Sequence, residues 1–149
     1  MKVLIGSDHA GYNLKVDVFN YLKEKGYDIE DVGTYSLDSC DYVDYAEKVA
    51  SAVSEGKAER GILICGTGLG MSIVANKFKG VSAALCTSEY HARKSREHNN
   101  SNILVMGGRV TTFEIAKFIT DAWFNTDYAG ERHNRRLNKI KLIENNNFK

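Results

Sequence analysis

The chain of 149 residues carries a formal net charge of +1, which provides no overall attraction to nucleic acid or to a membrane surface. Its 43% hydrophobic and 26% charged residues are typical of a soluble globular protein, and we expect one domain, residues 1–149. No apolar run approaches the roughly 18 residues that a membrane span requires. The amino terminus reaches Asp8 after a short apolar run, unlike a signal peptide, so we expect a cytoplasmic protein.

Short apolar runs alternate with segments of helical periodicity along the chain. The runs predict strands at residues 3–5, 27–32, 62–65, 81–86 and 102–106. Apolar residues three or four apart predict helices over residues 14–22, 46–53, 115–122 and around 137–140. A short helix over 70–75 is expected after the glycine loop and a polar helix over 88–97, and residues 145–149 are expected to fray. This alternation predicts an α/β fold, a three-layer Rossmann-like sandwich with helices on both faces of a five-stranded parallel sheet.

Ligands of such sheets bind beyond the carboxyl ends of the strands. Four loops are therefore expected to meet at one edge, formed by residues 7–9, 65–70, 86–88 and 107–109. Their positions make these loops the first place to look for chemistry.

The loop after the third predicted strand has a cysteine, Cys65, followed by glycines at alternate positions. Inward-facing amides at the start of a helix suit an anion, although a tight structural turn is the alternative interpretation. The glycine spacing matches neither the dinucleotide fingerprint nor a P-loop. A thiolate beside such amides suits a nucleophile or a proton acceptor, and the spacing does not distinguish the two. Cys86 is expected to be a core residue, and Cys40, Cys65 and Cys86 lack the spacing of a disulfide framework or a zinc site.

Other polar residues have both functional and structural interpretations. Asp8 and His9 follow the first strand, where a loop or capping pair is the alternative to a catalytic role. His91, His98 and His133 are further candidates, of which two are expected to be exposed.

Arg132 and Arg136 lie four residues apart, on one face of a predicted helix, and suit a phosphate group. A solvated helical face is the alternative. Weak nucleic-acid binding is a further one, disfavoured by the lack of interleaved aromatic residues.

In order and spacing, these segments resemble the type B ribose-5-phosphate isomerase family, which is related to the galactose-6-phosphate isomerase subunits. The resemblance covers nearly the whole chain and rests on residues 6–9, 41–42, 61–72, 76–77, 97–99, 107–109, 121–123 and 130–136. It implies isomerisation of ribose 5-phosphate and ribulose 5-phosphate, a reaction of pentose phosphate metabolism, without metal or organic cofactor.

The resemblance also implies residue roles. Cys65 resembles the base that moves a proton between C2 and C1, Thr67 its support, and His98 the acid that opens the furanose ring. Asp8 resembles a partner in sugar binding or ring opening. The enediolate oxygen would be held by the amides of Gly66, Thr67, Gly68, Leu69 and Gly70, a sugar hydroxyl by Asn99, and the phosphate by His9, Arg109, Arg132 and Arg136.

Members of this family form homodimers or tetramers with sites at the subunit interface. Because the net charge is only +1, we expect no nucleic-acid or membrane partner. Isomerisation of a six-carbon sugar phosphate, such as allose or galactose 6-phosphate, is the main alternative. A non-catalytic phosphate- or nucleotide-sensing module is a more distant one. Val43 departs from the proline that many relatives have after Asp41 and Tyr42, which puts the conformation of the Tyr42 loop in question.

Overall fold

Strands and helices alternate along the chain in the structure, a computed structural model that describes residues 1–148. The strands are β1 (Lys2–Ser7), β2 (Asp28–Asp31), β3 (Arg60–Cys65), β4 (Ala83–Leu85) and β5 (Ile103–Gly107). The helices are α1 (Tyr12–Glu24), α2 (Tyr42–Ser54), α3 (Leu69–Ala75), α4 (Glu89–Glu97), α5 (Phe113–Asn125) and α6 (Arg132–Asn147). Within residues 1–148, no helix combines the length and the apolar character needed to cross a membrane.

The five strands form one parallel sheet in the order β2-β1-β3-β5-β4, which confirms the predicted α/β class. The chain first adds β2 on one side of β1 and then crosses over to place β3 on the other side. The order therefore reverses between β1 and β3, and the loops that follow these two strands are neighbours. In an open parallel sheet this reversal point is where ligands bind.

Side chains of the central strand alternate between two apolar layers, one on each face of the sheet. Ile62 and Ile64 of β3 pack into the layer that contains Trp123 of α5. Leu63 and Cys65 pack into the layer covered by α2 and α3. A period of two residues in a strand produces this division. Cys65 is thus fixed by a well-packed strand before the chain enters the glycine loop.

The boundaries of several elements differ from the prediction. The strands β2 and β4 are shorter than predicted, and α3 begins at Leu69. The expected fraying from residue 145 is wrong as far as Asn147, because Glu144 accepts a 3.0 Å hydrogen bond from the Gly80 amide and Asn147 donates to the carbonyl of Ile143. Lys149 lies outside the described residues.

The long helix α6 is attached to the domain chiefly through its first turn. His133 is its one buried residue among those described, and its ring stacks on that of His98 with centroids 4.3 Å apart and planes 20° apart. Burial lowers the pKa of His133, and the nearby positive charges of His98, Arg132 and Arg136 lower it further. A neutral imidazole is therefore part of the contact that anchors α6.

Cys86 should resist alkylation in the folded protein. It is 1% exposed, and burial raises its pKa to about 11, so the reactive thiolate is scarce at neutral pH. Cys40 is only half-buried and should react with iodoacetamide before Cys86 does. Peptide mass spectrometry of native protein, with urea-unfolded protein as the control, measures the order. Equal rates for Cys40 and Cys86 in the native state would contradict the packing described above.

His133 should make stability depend on pH. The unfolded ring takes up a proton near pH 6.5 and the folded ring only at lower pH, so this residue's contribution is complete above that value and declines as the pH falls through it. We expect His133→Phe, which keeps a stacking ring, to lose less unfolding free energy than wild type between pH 7.5 and 5.5, buffer values set at roughly one unit either side of 6.5. Urea unfolding at both values measures this, with His91→Phe on the exposed surface of α4 as a control. An unchanged pH dependence in His133→Phe would show that the histidine is not responsible.

Candidate active site

The glycine loop turns back on the sulfur of Cys65. This residue ends β3 and is 5% exposed, and its Sγ accepts a hydrogen bond from the Gly68 amide at 3.2 Å. Gly68 has φ of 85°, in the left-handed region, and a Cβ there would lie 2.5 Å from Cδ1 of Leu85. A side chain would displace the loop, so the amide reaches the sulfur because residue 68 is glycine. A donated N–H is the contact that a negatively charged sulfur requires.

The cradle of five amides implied by the resemblance is only partly open. The Gly68 amide is used by the sulfur, and the Leu69 amide donates to Oγ1 of Thr67 at 3.2 Å. The amides of Gly66 and Thr67 donate to no group within residues 1–148; the Gly70 amide also has no acceptor there, but the Tyr42 ring packs on Gly70. The Thr67 hydroxyl accepts from Leu69, so its own hydrogen can be donated to a ligand. These two amides and one hydroxyl can bind an oxyanion beside the thiol.

The loop after β5 is fixed against the glycine loop by main-chain contacts. Gly108 donates to the Cys65 carbonyl at 2.7 Å, and Arg109 donates to the Gly66 carbonyl at 3.0 Å. Gly107 approaches so closely that a Cβ there would lie 2.7 Å from the carbonyl oxygen of Thr67. The side chain of Arg109 lies over Gly66, where an added Cβ would be 3.6 Å from its Nη1. An exposed guanidinium therefore flanks the free amides.

The loop after β1 reaches the same place from the other side. Asp8 is 6% exposed, and its Oδ1 accepts a 3.0 Å hydrogen bond from the amide of Gly11, the residue before α1, so Asp8 stabilises the turn that precedes the helix. His9 lies next to Ala10, whose Cβ is 3.6 Å from the position of a Cβ on Gly66. Residues 7–9, 65–70 and 107–109 do meet at one edge, as predicted; we call this group the thiol cluster. The fourth loop supplies Ser88, which caps α4 by accepting from the His91 amide.

Tyr42 covers part of the thiol cluster. A Cβ on Gly70 would lie 2.6 Å from Cε2 of Tyr42, so the phenol ring packs directly on the loop. Tyr42 begins α2 and Val43 follows within the first helical turn, so Val43 leaves this packing intact. The sequence interpretation left Tyr42 out of the site, since nothing in its spacing relates it to Gly70.

The remaining predicted residues lie at the opposite edge of the sheet, beyond the amino-terminal ends of its strands. The helix α4 begins after the carboxyl end of β4 and returns to the amino end of β5, so His98 and Asn99 follow its last turn there. The Ala129 amide donates to the Glu97 carbonyl at 3.0 Å, which brings the start of α6 to the same edge. We call this group the histidine cluster: His98, Asn99, Arg132, His133 and Arg136.

The two clusters are separated by the length of the sheet. A five-residue strand spans roughly 17 Å. A single chain therefore does not bring Cys65 and His98 together, nor Arg109 and the arginines of α6. A cavity of about 830 Å³ also lies away from Cys65, between α6 and the segments around the starts of β4 and β5, and Asn99 lines it.

The histidine cluster is built around the imidazole rings of His98 and His133. His98 is about one-third exposed, and its Nε2 lies 3.5 Å from Oε1 of Glu97. Lys94 donates to the same carboxylate and lowers the pKa of Glu97. Spacing alone did not distinguish His133 from His91 and His98. In the structure His91 is the only one of these three that is exposed rather than partly or fully buried, where two were expected to be exposed, and His133 is the buried partner of His98. Arg132 and Arg136 are exposed on α6, which leaves both guanidinium groups accessible to an anion.

Exposed apolar side chains surround these polar groups. Leu69 and Ile73 of α3 are 59% and 64% exposed beside the thiol cluster, and α6 exposes Ile140, Leu142 and Ile143. Leu69 and Ile73 are four residues apart and Ile140 and Ile143 three apart, so each pair shares one face of its helix, and an exposed apolar face of this kind suits an interaction site. Within residues 1–148, no group of three or more His, Cys, Asp or Glu side chains is placed to hold a metal ion.

Comparison with known proteins gives a consistent result. A model of the ribose/galactose isomerase family matches residues 3–140. Ribose-5-phosphate isomerase B of Escherichia coli K12 is 47% identical over 143 residues, 96% of each chain. The structure of Clostridium thermocellum ribose-5-phosphate isomerase B is 51% identical with a TM-score of 0.96, covering 98% of this chain and 99% of that one. A D-erythrulose-4-phosphate isomerase of Pectobacterium atrosepticum is 39% identical over 148 residues, 97% of this chain and 95% of the relative. The chain therefore belongs to the ribose/galactose isomerase family, as a sugar-phosphate isomerase of the type B ribose-5-phosphate isomerase group.

Proposed function

We propose that this chain interconverts ribose 5-phosphate and ribulose 5-phosphate through an enediolate, without a cofactor, and that Cys65 is the base. The observation that carries the proposal is the Cys65 thiol, held by an amide donor beside two free amides, a threonine hydroxyl and the guanidinium of Arg109. Base, oxyanion donors and an anchor for an anionic substrate thus lie within one group of loops.

The thiol cluster contains a base and oxyanion donors for the proton transfer between carbons that an aldose–ketose isomerisation requires. The Cys65 thiolate removes the proton from C2 of the open-chain aldose, and negative charge develops on the carbonyl oxygen at C1. The free amides of Gly66 and Thr67 and the Thr67 hydroxyl stabilise that oxygen, and a preorganised donor of this kind contributes about 2.7–4 kcal/mol. The thiol then returns the proton to carbon C1 while the proton of the C2 hydroxyl passes to the oxygen at C1, which yields the ketose with its C1 hydroxyl and restores the thiolate.

The furanose form must open before this chemistry begins. Opening requires a proton on the ring oxygen and the loss of one from the C1 hydroxyl. We assign the first role to His98, because imidazole titrates near neutral pH, and a supporting role in sugar binding or ring opening to Asp8. Asn99 binds a sugar hydroxyl. The phosphate is bound by His9, Arg109, Arg132 and Arg136, and this remote binding energy orients the flexible chain for proton transfer.

Because the two clusters lie at opposite edges of one chain, the proposal requires a second copy. In a homodimer, the histidine cluster of one copy approaches the thiol cluster of the other, and two-fold symmetry generates two identical sites. The exposed Leu69 and Ile73 beside the thiol cluster, together with the exposed apolar face of α6, support such an interface. Both halves of the site are present in this one sequence, which favours a homo-oligomer over a pairing of different subunits.

The number of carbons in the substrate is the point on which relatives differ. The matched family includes ribose and galactose isomerases, and one relative is named for a four-carbon sugar phosphate. We therefore keep a six-carbon sugar phosphate, allose or galactose 6-phosphate, as the second candidate. Comparing kcat/KM for four-, five- and six-carbon aldose phosphates distinguishes them, and the proposal expects the five-carbon compound to give the highest value.

Replacement of the proposed base should abolish catalysis and spare binding. We expect Cys65→Ala to lower kcat/KM for ribose 5-phosphate by roughly 10²–10⁴-fold or more, the contribution of a positioned base. Binding of the sugar phosphate, measured by calorimetry, should change little because the amides and Arg109 remain. Cys86→Ala is the matched control, a cysteine removed from the core at the other face of the sheet. Wild-type activity in Cys65→Ala would rule out the thiol as the base.

Mixing two inactive variants should restore activity if the site is shared. Cys65→Ala and His98→Asn homodimers each lack one half of every site. A mixed dimer has one doubly altered site and one intact site, so random reassortment should restore roughly a quarter of wild-type activity. The measurement is isomerase activity after unfolding and refolding the variants together, with each variant refolded alone as the control. No recovery, in a mixture shown by mass to contain mixed dimers, would mean that both residues act within one chain.

A further inference from the structure

His9 is held by a main-chain group of a distant loop. The backbone amide of Cys40 donates a hydrogen bond to Nδ1 of His9 at 3.2 Å. The Cys40 thiol lies farther away, with Sγ 3.9 Å from the same nitrogen. The amide is thus the closer partner, and it would be present whatever side chain residue 40 carried.

This contact fixes which ring nitrogen of the neutral imidazole carries hydrogen. An amide N–H can only donate, so Nδ1 must offer its lone pair, and the hydrogen of the neutral ring lies on Nε2. Within residues 1–148, Nε2 of His9 has no hydrogen-bond partner. The ring therefore presents an unused N–H donor on the edge opposite to Cys40.

The loop that carries Cys40 is anchored at its start. The β1–β2 pairing continues beyond the strands, since Ser7 donates to the Gly33 carbonyl and Thr34 donates to the Ser7 carbonyl, both at 2.7 Å. Lys15, which is fully buried, donates to Asp31 at 2.8 Å and also to the Thr34 carbonyl. A buried charged side chain therefore ties the first residues of this loop to α1.

The other end of the loop is equally fixed. Asp41 precedes α2, and Tyr42, the first residue of that helix, packs on Gly70 of the thiol cluster. Cys40 therefore lies one residue before a helix that is itself seated on the site. The packing of Tyr42 on Gly70 thus positions the Cys40 amide from one side, and the hydrogen bonds at Thr34 anchor the other end of the loop.

We propose that the main-chain amide of Cys40 is a positioning group for phosphate binding, which keeps the hydrogen of neutral His9 on Nε2 and aligns that donor with the phosphate beside Arg109. The inference rests on the proposed function, in which His9 is a phosphate ligand, and it adds the element that orients this ligand. It concerns the backbone of residue 40 and assigns no role to the thiol.

The contact can be tested directly by NMR at alkaline pH on the full chain labelled with ¹⁵N. A nitrogen–nitrogen scalar coupling across the hydrogen bond should connect the Cys40 amide with Nδ1 of His9, and Nε2 should carry the ring hydrogen. Cys40→Ala keeps the amide and should keep the coupling. Absence of the coupling in the wild type, or a ring hydrogen on Nδ1, would overturn the proposal.

The functional role of this contact can be tested by a substitution that removes only the backbone N–H of residue 40. We expect Cys40→Pro to lose the coupling and to raise the Kd for inorganic phosphate about tenfold, the order of one misaligned hydrogen bond to an anion. Ser39→Pro is the matched control for a proline in the same exposed loop. Phosphate binding needs no catalysis, so this arm holds even if the isomerase assignment fails. Equal phosphate affinity in Cys40→Pro and Ser39→Pro would refute the positioning role.

A second pair of variants keeps the test valid if Cys40→Pro does not fold. The side-chain amide of His9→Gln reaches the position of Nε2, whereas that of His9→Asn reaches only the position of Nδ1. We expect His9→Gln to retain more phosphate affinity than His9→Asn and to raise KM more than it lowers kcat. Equal loss in both variants would show that the Nε2 donor is not what binds phosphate.

Discussion

The polarity of a parallel sheet is the constraint on which the rest of this structure depends. Every strand delivers its last residue to one edge, and every returning helix delivers its last residue to the other. Cys65 ends a strand and His98 follows a helix, so one chain must hold them apart. Much of what the protein is proposed to do follows from this separation: each chain presents the proposed base, with His9 and Arg109, at one edge, and His98 with the arginines of α6 at the other.

Within the thiol cluster, main-chain contacts do most of the positioning. The amide of Gly68 reaches the sulfur of Cys65, the amides of Gly108 and Arg109 fix the neighbouring carbonyls, and the amide of Cys40 holds His9. Main-chain donors cannot rotate away as long side chains can, so they lose little entropy when a substrate binds. Because Gly68 and Gly107 have no side chains, the loops can lie close enough for these contacts to form.

The fold was predictable because continuous apolar runs and turn residues define buried parallel strands, and the edge rule placed Asp8, Cys65 and Arg109 in adjoining loops. The roles of these residues remain predictions. Contacts between segments distant in sequence were not predictable: no spacing relates Cys40 to His9, Tyr42 to Gly70 or His133 to His98. The end of α6 was mispredicted for the same reason, since the Glu144 contact that holds it is made with a distant loop.

The weak attachment of α6 has a consequence for its dynamics. Among the described residues, the buried His133, the Glu144 carboxylate and a hydrogen bond between Tyr128 and Asn134 are the main contacts that hold this helix over an open groove, so in a lone chain it should open more readily than the sheet. Covering its apolar face with a second copy would add the missing contacts. The hydrogen-exchange protection of the α6 amides should therefore report on the association of two copies, and it can be measured without any substrate.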